Sequence, residues 1–254
     1  MNTARQARKA VRSLLFAYPP LYELLTSEKR YLLMYRLHLL HEPCFGSIPL
    51  LLDREDPLIL DVGGNIGQSV LSIKVAAPGA RVMSFEPNPV PRRTLERLVD
   101  LFPDLTVQPF GLGVEGDEKA LYVPVYRGKV MSGLASFDLH EASSWISPRT
   151  VYGFDPARLR VESYPLEIRR LDDLGLEPDM MKLDVQGYEE PVVRGGLETI
   201  RRSRPVIMAE TPSAGLRALL AEEGYRALEF EGRGRRGQLI ASTGRQVNQI
   251  FAPA

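Results

Sequence analysis

The chain has little cysteine and no excess of either charge, and both shortages narrow the classes of protein it can belong to. Cys44 is the single cysteine in 254 residues, so no internal disulfide can form, and we expect a buried, unreactive thiol in a reducing compartment. Lysine plus arginine and aspartate plus glutamate both number 32. Because nucleic-acid binders usually carry a basic excess, this balance argues against a nucleic-acid partner.

Long apolar runs are also missing. No stretch approaches the roughly 20 residues that a membrane-spanning helix requires. The basic N-terminus (Arg5, Arg8, Lys9 and Arg12) precedes only a short apolar segment, which is too brief for a secretory signal and lacks a cleavage site. We therefore expect a cytoplasmic protein whose N-terminus packs as a helix on the domain. Contact of this segment with anionic lipid is the less favoured alternative.

The length and composition are those of a globular protein with one large α/β domain or two small ones. The first part of the chain predicts two helices, Arg5–Ala17 and Ser27–Leu40, and then a segment, 41–57, that is mostly loop. We interpret 1–55 as an N-terminal helical cap and 56–254 as the main domain.

From residue 58 onward, short apolar strands alternate with helices, which predicts right-handed crossovers and a mostly parallel sheet. The predicted strands of this part are Leu58–Val62, Arg81–Phe85, Leu105–Phe110, Met180–Val185 and Pro205–Ala209, and the predicted helices are Ile66–Ala77, Pro91–Leu101, Glu189–Arg202 (interrupted by Gly195-Gly196) and Gly215–Glu223. Tyr225–Phe230 and Gln238–Ser242 predict a final antiparallel hairpin. The arginine- and glycine-rich loop between them is interpreted as a solvated turn.

A segment rich in glycine, serine and proline, 127–160, lies between the predicted strands Lys119–Tyr126 and Val161–Ile168. Long irregular insertions in compact domains are commonly functional, and we interpret this one as a lid on the substrate side. Within it, His140 is a candidate base and Trp145 a candidate substrate contact. The segment contains three aromatic residues, Trp145, Tyr152 and Phe154. Their side chains either stack on a sugar face or form the apolar core of the lid itself.

Five acidic or glycine-rich strand ends are predicted to converge on one crevice, because open α/β sheets bind ligands at the carboxyl ends of their strands. These ends are Asp61-Val62-Gly63, Glu86, Gly111-Leu112-Gly113, Asp184 and Glu210. Glu86 follows Asp61 by 25 residues, at the position where an acid accepts hydrogen bonds from the ribose hydroxyls of a nucleotide cofactor.

The glycine spacing distinguishes between two cofactors. A dinucleotide site spaces its glycines as G-x-G-x-x-G, so that a pyrophosphate rests on a helix N-terminus, and the run from Gly63 to Gly67 does not match. Asp61 is placed to meet the positive ammonium and sulfonium groups of a methionine moiety. The glycine spacing, Asp61 and the final antiparallel strand together favour S-adenosylmethionine over NAD.

Three motifs carry a resemblance to a known family. Asp61-Val62-Gly63-Gly64-Asn65-Ile66-Gly67, Phe85-Glu86-Pro87-Asn88-Pro89 and Met181–Glu189 together resemble the FkbM-type methyltransferases, over about residues 58–210. The resemblance implies a class I, Rossmann-like α/β fold with a mostly parallel, seven-stranded sheet and a C-terminal antiparallel hairpin. It also implies S-adenosylmethionine-dependent O-methylation of a hydroxyl on a sugar, a polyketide or a related small molecule.

The motifs supply candidate residues for each role. Candidate cofactor contacts are Asp61, Gly63, Gly64, Asn65, Gly67, Glu86, Pro87, Gly111 and Asp184. For the catalytic base, Asp184 is the first choice, Glu189 the second and His140 the third. Gln186 replaces the usual glutamate of the family and cannot ionise, so we expect it to bind the acceptor together with Trp145 and Glu210.

Several alternatives stay open. Because Gln186 cannot act as a base, a non-catalytic cofactor-binding or scaffold protein is the alternative function. No tight ligand cluster predicts a metal, although a divalent ion on Asp184 and Glu210 is left open. His38 and His41 are predicted to be surface or packing residues, and self-association is also left open.

Overall fold

The computed structural model describes residues 9–10, 13–14, 27–244 and 246–254. The chain forms two compact units. The larger unit consists of Tyr31–Glu118 and Leu166–Ala254, and the smaller one of Lys119–Pro165 with the described residues before Tyr31. The predicted helix Arg5–Ala17 lies largely outside the described residues, and the predicted domain boundary after residue 55 stays a prediction.

Helices precede the sheet. Helix α1 is Glu28–Arg36, which is shorter than the predicted Ser27–Leu40. The segment 41–57 was expected to be mostly loop, but it contains a 3-10 helix, Pro43–Ser47, and a short helix α2, Ile48–Leu51. A proline occupies the first turn of each helix, where its missing N–H group costs no hydrogen bond. These prolines therefore start helices here and do not exclude them.

The remaining elements follow in chain order. The strands are β1 (Leu58–Val62), β2 (Arg81–Phe85), β3 (Leu105–Gln108), β4 (Gly111–Leu112), β5 (Asp117–Tyr126), β6 (Lys129–Val130), β7 (Leu159–Arg169), β8 (Met180–Leu183), β9 (Val206–Glu210), β10 (Tyr225–Arg233), β11 (Arg236–Ala241) and β12 (Asn248–Pro253). The helices are α3 (Gln68–Ala76), α4 (Pro89–Glu96), α5 (Leu139–Ser144), α6 (Glu189–Arg194), α7 (Leu197–Ser203) and α8 (Ala214–Glu222).

One eight-stranded sheet forms the centre of the larger unit, in the order β11-β10-β12-β9-β8-β1-β2-β3. The strands β3, β2, β1, β8 and β9 pair in parallel, and β12 runs antiparallel between β9 and β10. The mostly parallel α/β sheet with a terminal antiparallel hairpin is thus confirmed. The sheet has eight strands, one more than the seven expected, and β11 is the additional strand at its edge.

Strand β12 is the main element that the sequence did not predict. The hairpin of β10 and β11 forms as expected, but β12 is the strand that pairs with β9. Both faces of β12 are covered, since Ile250 packs into one apolar layer and Phe251 into the other. A strand buried on both faces lacks the alternation of polar and apolar residues that marks a half-exposed strand.

Two apolar layers cover the two faces of the sheet, and β1 contributes to both. Ile59 packs into the layer that contains α3 and the 3-10 helix before α2, whereas Leu60 and Val62 pack into the layer of α6 and α8. Since side chains alternate along a strand, Asp61 lies on the face of Ile59. No helix within the described ranges is long and apolar enough to cross a membrane.

The smaller unit has an apolar core of its own. Its buried side chains are Tyr126, Met131, Ile146 and Val151. The segment 127–160 was expected to be irregular, but it contains β6, two 3-10 turns and α5. Asp138 explains α5, because its Oδ1 accepts a hydrogen bond from the Glu141 N–H at 2.7 Å and caps the first turn. The role of this segment as a lid stays a prediction.

Candidate functional site

The turn after β1 carries the glycine motif. The N–H groups of Gly63 and Gly64 both donate to the carbonyl oxygen of Phe85, at 3.0 and 3.1 Å, and the Gly67 N–H donates to the Gly64 carbonyl at 2.8 Å. The φ angles are 89° at Gly63, 48° at Asn65 and 93° at Gly67. Glycine, and to a smaller extent asparagine, tolerates this left-handed backbone, which explains the residue types of the motif.

Gly63 has no room for a side chain. A Cβ at this position would lie 1.9 Å from the backbone oxygen of Asp184, in addition to the strain of its positive φ. We expect Gly63→Ala to lower the free energy of unfolding in urea by about 3 kcal/mol. Gly175→Ala is the matched control, because Gly175 has a φ of 62° but no atom within 4 Å of the added Cβ. This control should lose only about 1 kcal/mol, and equal losses would contradict the close approach of β1 and β8.

Glu86, directly after β2, is held by two backbone donors. Its Oε2 accepts from the Asn65 N–H at 2.7 Å, and its Oε1 accepts from the Asn88 N–H at 2.8 Å. Burial raises the pKa of Glu86 to about 7, although the two hydrogen bonds act in the opposite direction. Each carboxylate oxygen can accept more than one hydrogen bond, so Glu86 can also accept from two hydroxyls of a ligand.

The loop that follows β2 is fixed from several sides. The Asn88 side chain caps α4, because its Oδ1 accepts from the Val90 N–H at 3.0 Å. The Arg92 guanidinium donates to the Pro87 carbonyl oxygen at 3.0 Å. Gly111 lies against this loop, since a Cβ there would be 3.4 Å from the Pro87 ring. Two of the predicted cofactor contacts, Pro87 and Gly111, are therefore neighbours.

Three polar side chains lie side by side across the sheet, on the face of Ile59. The strand register pairs Asp61 with Ser84 of β2 and with Lys182 of β8. The Ser84 hydroxyl donates to Asp61 Oδ2 at 2.7 Å. Among the described residues, Asp61 Oδ1 has no hydrogen-bond partner, although the carboxylate is fully buried. Because buried polar atoms are normally satisfied, this oxygen can accept a hydrogen bond from a ligand in addition to its ion pair with Lys182 at 3.6 Å.

Lys182 lies between two carboxylates. Its Nζ is 3.1 Å from Asp184 Oδ2, 3.6 Å from Asp61 Oδ1 and 3.5 Å from the Gly63 carbonyl oxygen. Burial alone would lower the pKa of Lys182, but the charges of Asp184 and Asp61 outweigh it and raise this pKa above its usual value. Lys182 is therefore a buried ammonium ion.

Asp184 and Glu210, at the ends of β8 and β9, form a carboxyl pair. Asp184 also accepts from the Gln186 side-chain amide at 3.1 Å. Burial opposes ionisation of Asp184, but Lys182 and the hydrogen bond from Glu210 lower its pKa below the usual value. The same hydrogen bond, with burial, raises the pKa of Glu210 to about 8. The opposite directions of the two shifts make Asp184 the more acidic carboxyl group of the pair.

Glu189 holds the loop that follows β8. Its buried Oε1 accepts from the Val185 N–H at 3.0 Å and from the Gly187 N–H at 3.2 Å. In this loop Gln186 and Gly187 have positive φ angles of 54° and 92°. Both hydrogen bonds of Glu189 Oε1 hold the backbone of this loop in place. The side chains of Asp184 and Gln186, in contrast, place their polar atoms at the end of β8 itself.

Two residues that the sequence analysis missed join this end of the sheet. Asn248, at the start of β12, lies opposite Glu210 in the register of β12 and β9. Its amide nitrogen donates to Glu42 Oε2 at 2.9 Å, across 206 residues of sequence. Glu42 also contributes to the raised pKa of both Glu210 and Lys182. No local sequence pattern indicates such a contact, because it joins the segment before the 3-10 helix to a strand 206 residues away.

The other predicted site residues lie in the smaller unit. His140 is exposed on α5, and Trp145, directly after α5, is 42% exposed. Phe154 stacks on Tyr126 with 5.6 Å between the ring centroids, so it belongs to the core of the smaller unit, whereas Tyr152 is exposed. The role of His140 as a base and that of Trp145 as a substrate contact stay predictions.

Histidine and cysteine near the sheet serve packing. His41 Nδ1 and the Ser72 hydroxyl are 2.8 Å apart, and the His41 ring packs on Phe45 with centroids 4.8 Å apart. Cys44 is buried as expected, and burial raises the pKa of its thiol well above the usual range. The described residues include no group of three or more His, Cys, Asp or Glu side chains arranged to hold a metal ion.

The sheet order β3-β2-β1-β8-β9-β12-β10, with a glycine turn after β1 and an acid after β2, defines a class I methyltransferase fold. A sequence profile described as the methyltransferase FkbM domain matches residues 61–227. The chain therefore belongs to the FkbM methyltransferase family.

Individual curated proteins also resemble part of the chain, and one of the following two is named a methyltransferase. The chain is 34% identical over 164 residues to the AMB antimetabolite synthetase AmbE of Pseudomonas aeruginosa. This alignment covers 55% of the chain and 8% of AmbE. The chain is 26% identical over 163 residues to the 2-O-methyltransferase NoeI of Sinorhizobium fredii. This second alignment covers 62% of the chain and 65% of NoeI. The chain thus spans less than two thirds of the length of either relative.

A solved structure supports the fold. The FkbM methyltransferase from Methylobacillus flagellatus superposes on this chain with a TM-score of 0.51 and 17% sequence identity. The superposition covers 83% of this chain and 48% of the other. At this level of identity the similarity shows a shared fold.

Proposed function

We propose that the protein transfers a methyl group from S-adenosylmethionine to a hydroxyl oxygen of a small molecule, such as a sugar or a glycosylated or polyketide metabolite. The observation that carries the proposal is the carboxyl pair at the ends of the adjacent strands β8 and β9, in which the pKa of Asp184 is lowered and that of Glu210 is raised. Family membership supplies methyl transfer as the reaction, and the carboxyl pair favours oxygen as the acceptor atom.

The residues at the ends of β1 and β2 fit the proposed cofactor. Asp61 Oδ1 is a buried carboxylate oxygen without a hydrogen-bond partner in the described part of the chain, and it suits a cationic donor. Glu86 is a second buried carboxyl group, which suits two ribose hydroxyls. The turn of Gly63, Asn65 and Gly67 between them leaves the backbone bare of bulky side chains.

The chemistry of the proposed reaction needs only a weak base. When bound, S-adenosylmethionine supplies an electrophilic methyl group on a positively charged sulfur. A hydroxyl oxygen becomes strongly acidic as it gains a methyl group, so a carboxylate of low pKa is a sufficient proton acceptor. Asp184 takes this proton in our proposal, while Gln186 and Lys182 hold its two oxygens in place. Fixed orientation of the acceptor supplies further acceleration.

The acidic surroundings favour an oxygen acceptor over an amine. Asp184 and Glu42 are carboxyl groups at the same end of the sheet, and nearby negative charge raises the pKa of an amine. A bound amine is thereby held as an ammonium ion, which has no lone pair for attack on the methyl group. A hydroxyl is neutral and can donate directly to Asp184. The name of NoeI, a 2-O-methyltransferase, supports the same acceptor atom.

Matched acceptor pairs test the proposal. Each pair has one carbon skeleton and carries either a hydroxyl or an amine at the same position, and transfer from methyl-labelled S-adenosylmethionine is measured by mass spectrometry. We expect the hydroxyl member to be methylated faster than the amine member, since negative charge near the acceptor holds the amine as an ammonium ion. Faster methylation of the amine members would contradict the proposal. Cofactor binding without transfer to any acceptor would favour the non-catalytic alternative that Gln186 leaves open.

A further inference from the structure

The buried ammonium group of Lys182 forms ion pairs with two carboxylates, Asp61 and Asp184, which lie on different sides of the site. Asp61 belongs to β1 and to the cofactor side, whereas Asp184 follows β8 and belongs to the acceptor side. Lys182 Nζ lies 3.6 Å from the first carboxylate and 3.1 Å from the second. The side chain of Lys182 is only 6% exposed and that of Asp61 is fully buried, so water screens this ion pair little, whereas Asp184 is 23% exposed.

The backbone brings these strand ends close together. The Asp184 N–H donates to the Val62 carbonyl oxygen at 3.0 Å, and Gly63 touches the Asp184 carbonyl so closely that no Cβ fits between them. The buried Asp61 and the partly buried Asp184 are carboxylates at adjacent strand ends that repel each other, and without a cation one of them would take up a proton. Lys182 removes this repulsion, and it also donates to the Gly63 carbonyl, at 3.5 Å.

We infer that Lys182 is a positioning residue that holds the Asp61 and Asp184 carboxylates, and with them the cofactor side and the acceptor side, in one fixed arrangement. The inference rests on the proposed function. It explains why a lysine, which is costly to bury, lies on the same rung of the sheet as Asp61. In this role Lys182 acts through Asp61 and Asp184 and does not itself touch the reacting atoms.

A purely structural ion pair is the alternative, and the chain offers a matched control for it. Lys74 on α3 is also buried, pairs with Asp104 and donates to the Ala80 carbonyl oxygen at 2.6 Å. Neither of these two partners belongs to the candidate site. Lys182→Met and Lys74→Met therefore both remove a buried ammonium group and both lower stability, but only the first should alter binding at the site.

Isothermal titration calorimetry with S-adenosylmethionine measures the difference. We expect Lys182→Met to raise the Kd at least tenfold and Lys74→Met to leave it within about twofold. We also expect the acid limb of the binding profile to move to higher pH in Lys182→Met only, because the carboxyl groups near Lys182 lose its positive charge. These groups are Asp61, Asp184, Glu42, Glu86 and Glu210. Equal Kd values and equal pH profiles in the two variants would overturn the inference.

The double variant Lys182→Met/Asp184→Asn covers the case in which the single variant does not fold. It removes one positive and one negative charge together, so its thermal midpoint should return toward that of the wild type. Its Kd for S-adenosylmethionine should stay at least tenfold raised, because Asp61 has lost the ammonium group that orients it. Wild-type affinity in the double variant would overturn the inference and leave the proposed function intact. A wild-type protein that binds no S-adenosylmethionine would overturn both.

Discussion

Glu86→Ala should weaken the binding of S-adenosylhomocysteine about 100-fold or more. Two hydrogen bonds from ribose hydroxyls to a carboxylate are each worth about 1.5–3 kcal/mol, and the loss of both corresponds to roughly a 100-fold to 10,000-fold rise in Kd. The variant also removes the acceptor that the Asn65 and Asn88 N–H groups share, which loosens both loops around the ligand. Calorimetry with purified protein measures the change.

The control for this prediction is Glu222→Ala, because Glu222 is an exposed glutamate on α8. It removes the same kind of side chain without touching the crevice, and the Kd should stay within about twofold. An unchanged Kd in Glu86→Ala would place the ribose contact elsewhere.

The pH dependence of binding gives the same prediction a second signature. Because burial raises the pKa of Glu86 to about 7, a large part of the free protein carries a proton on Glu86 at neutral pH. Ribose hydroxyls donate to the ionised form, so affinity should fall up to about tenfold per pH unit below pH 7 and level off above it. The folding stability of the ligand-free protein depends on pH in the opposite direction to the affinity. Because the pKa of Glu86 is higher in the folded protein than in the unfolded chain, this stability falls as pH rises from the usual glutamate pKa to about 7. Glu86→Gln should flatten both dependences.

Asp184→Asn should lower turnover about 100-fold to 10,000-fold, because a positioned base contributes a factor of this size. Asparagine keeps the shape and one acceptor oxygen, but it cannot take up the hydroxyl proton at neutral pH. Binding of S-adenosylhomocysteine should change far less than turnover, since Asp61 and Glu86 remain. The measurement is single-turnover transfer at saturating cofactor, which separates the methyl-transfer step from binding.

Two further variants make the Asp184 test specific. Asp100→Asn changes an exposed aspartate outside the site and should leave turnover within about twofold. Glu210→Gln keeps a side chain that can donate to Asp184, so its loss of turnover at pH 7 should be smaller than that of Asp184→Asn. Turnover in Asp184→Asn above a tenth of the wild-type value would assign the base to another residue.

The cofactor side of the site could be predicted from sequence because its signals are local. Strands β1 and β2 have the predicted bounds, and both end in short motifs whose residue types follow from backbone conformation and hydrogen bonding. The positive φ angles at Gly63 and Gly67 require the glycines that the sequence displays. A strand, a turn and an acid within 30 residues therefore identify this half of the site.

The acceptor side could be predicted only in part, because its contacts join distant segments. Asp184 and Glu210 end strands of strong apolar character and were expected there, but the opposite shifts of their pKa values depend on the pairing of β8 with β9. The contact of Glu42 with Asn248 depends on β12, whose two buried faces hide its strand pattern. Lys182 carries no signal of its position between two carboxylates until the register of β1 and β8 is known.

The most direct test of methyl transfer to oxygen uses S-adenosylmethionine with a carbon-13 methyl group. The protein is incubated with a hydroxyl acceptor from the matched pairs, and the product is examined by carbon–proton correlation NMR. Transfer to a hydroxyl predicts one new labelled methyl signal, coupled through oxygen to the carbon that carried the hydroxyl, and it predicts the loss of this signal in Asp184→Asn. A labelled methyl group on nitrogen or carbon, or a signal of equal intensity in Asp184→Asn, would contradict the account.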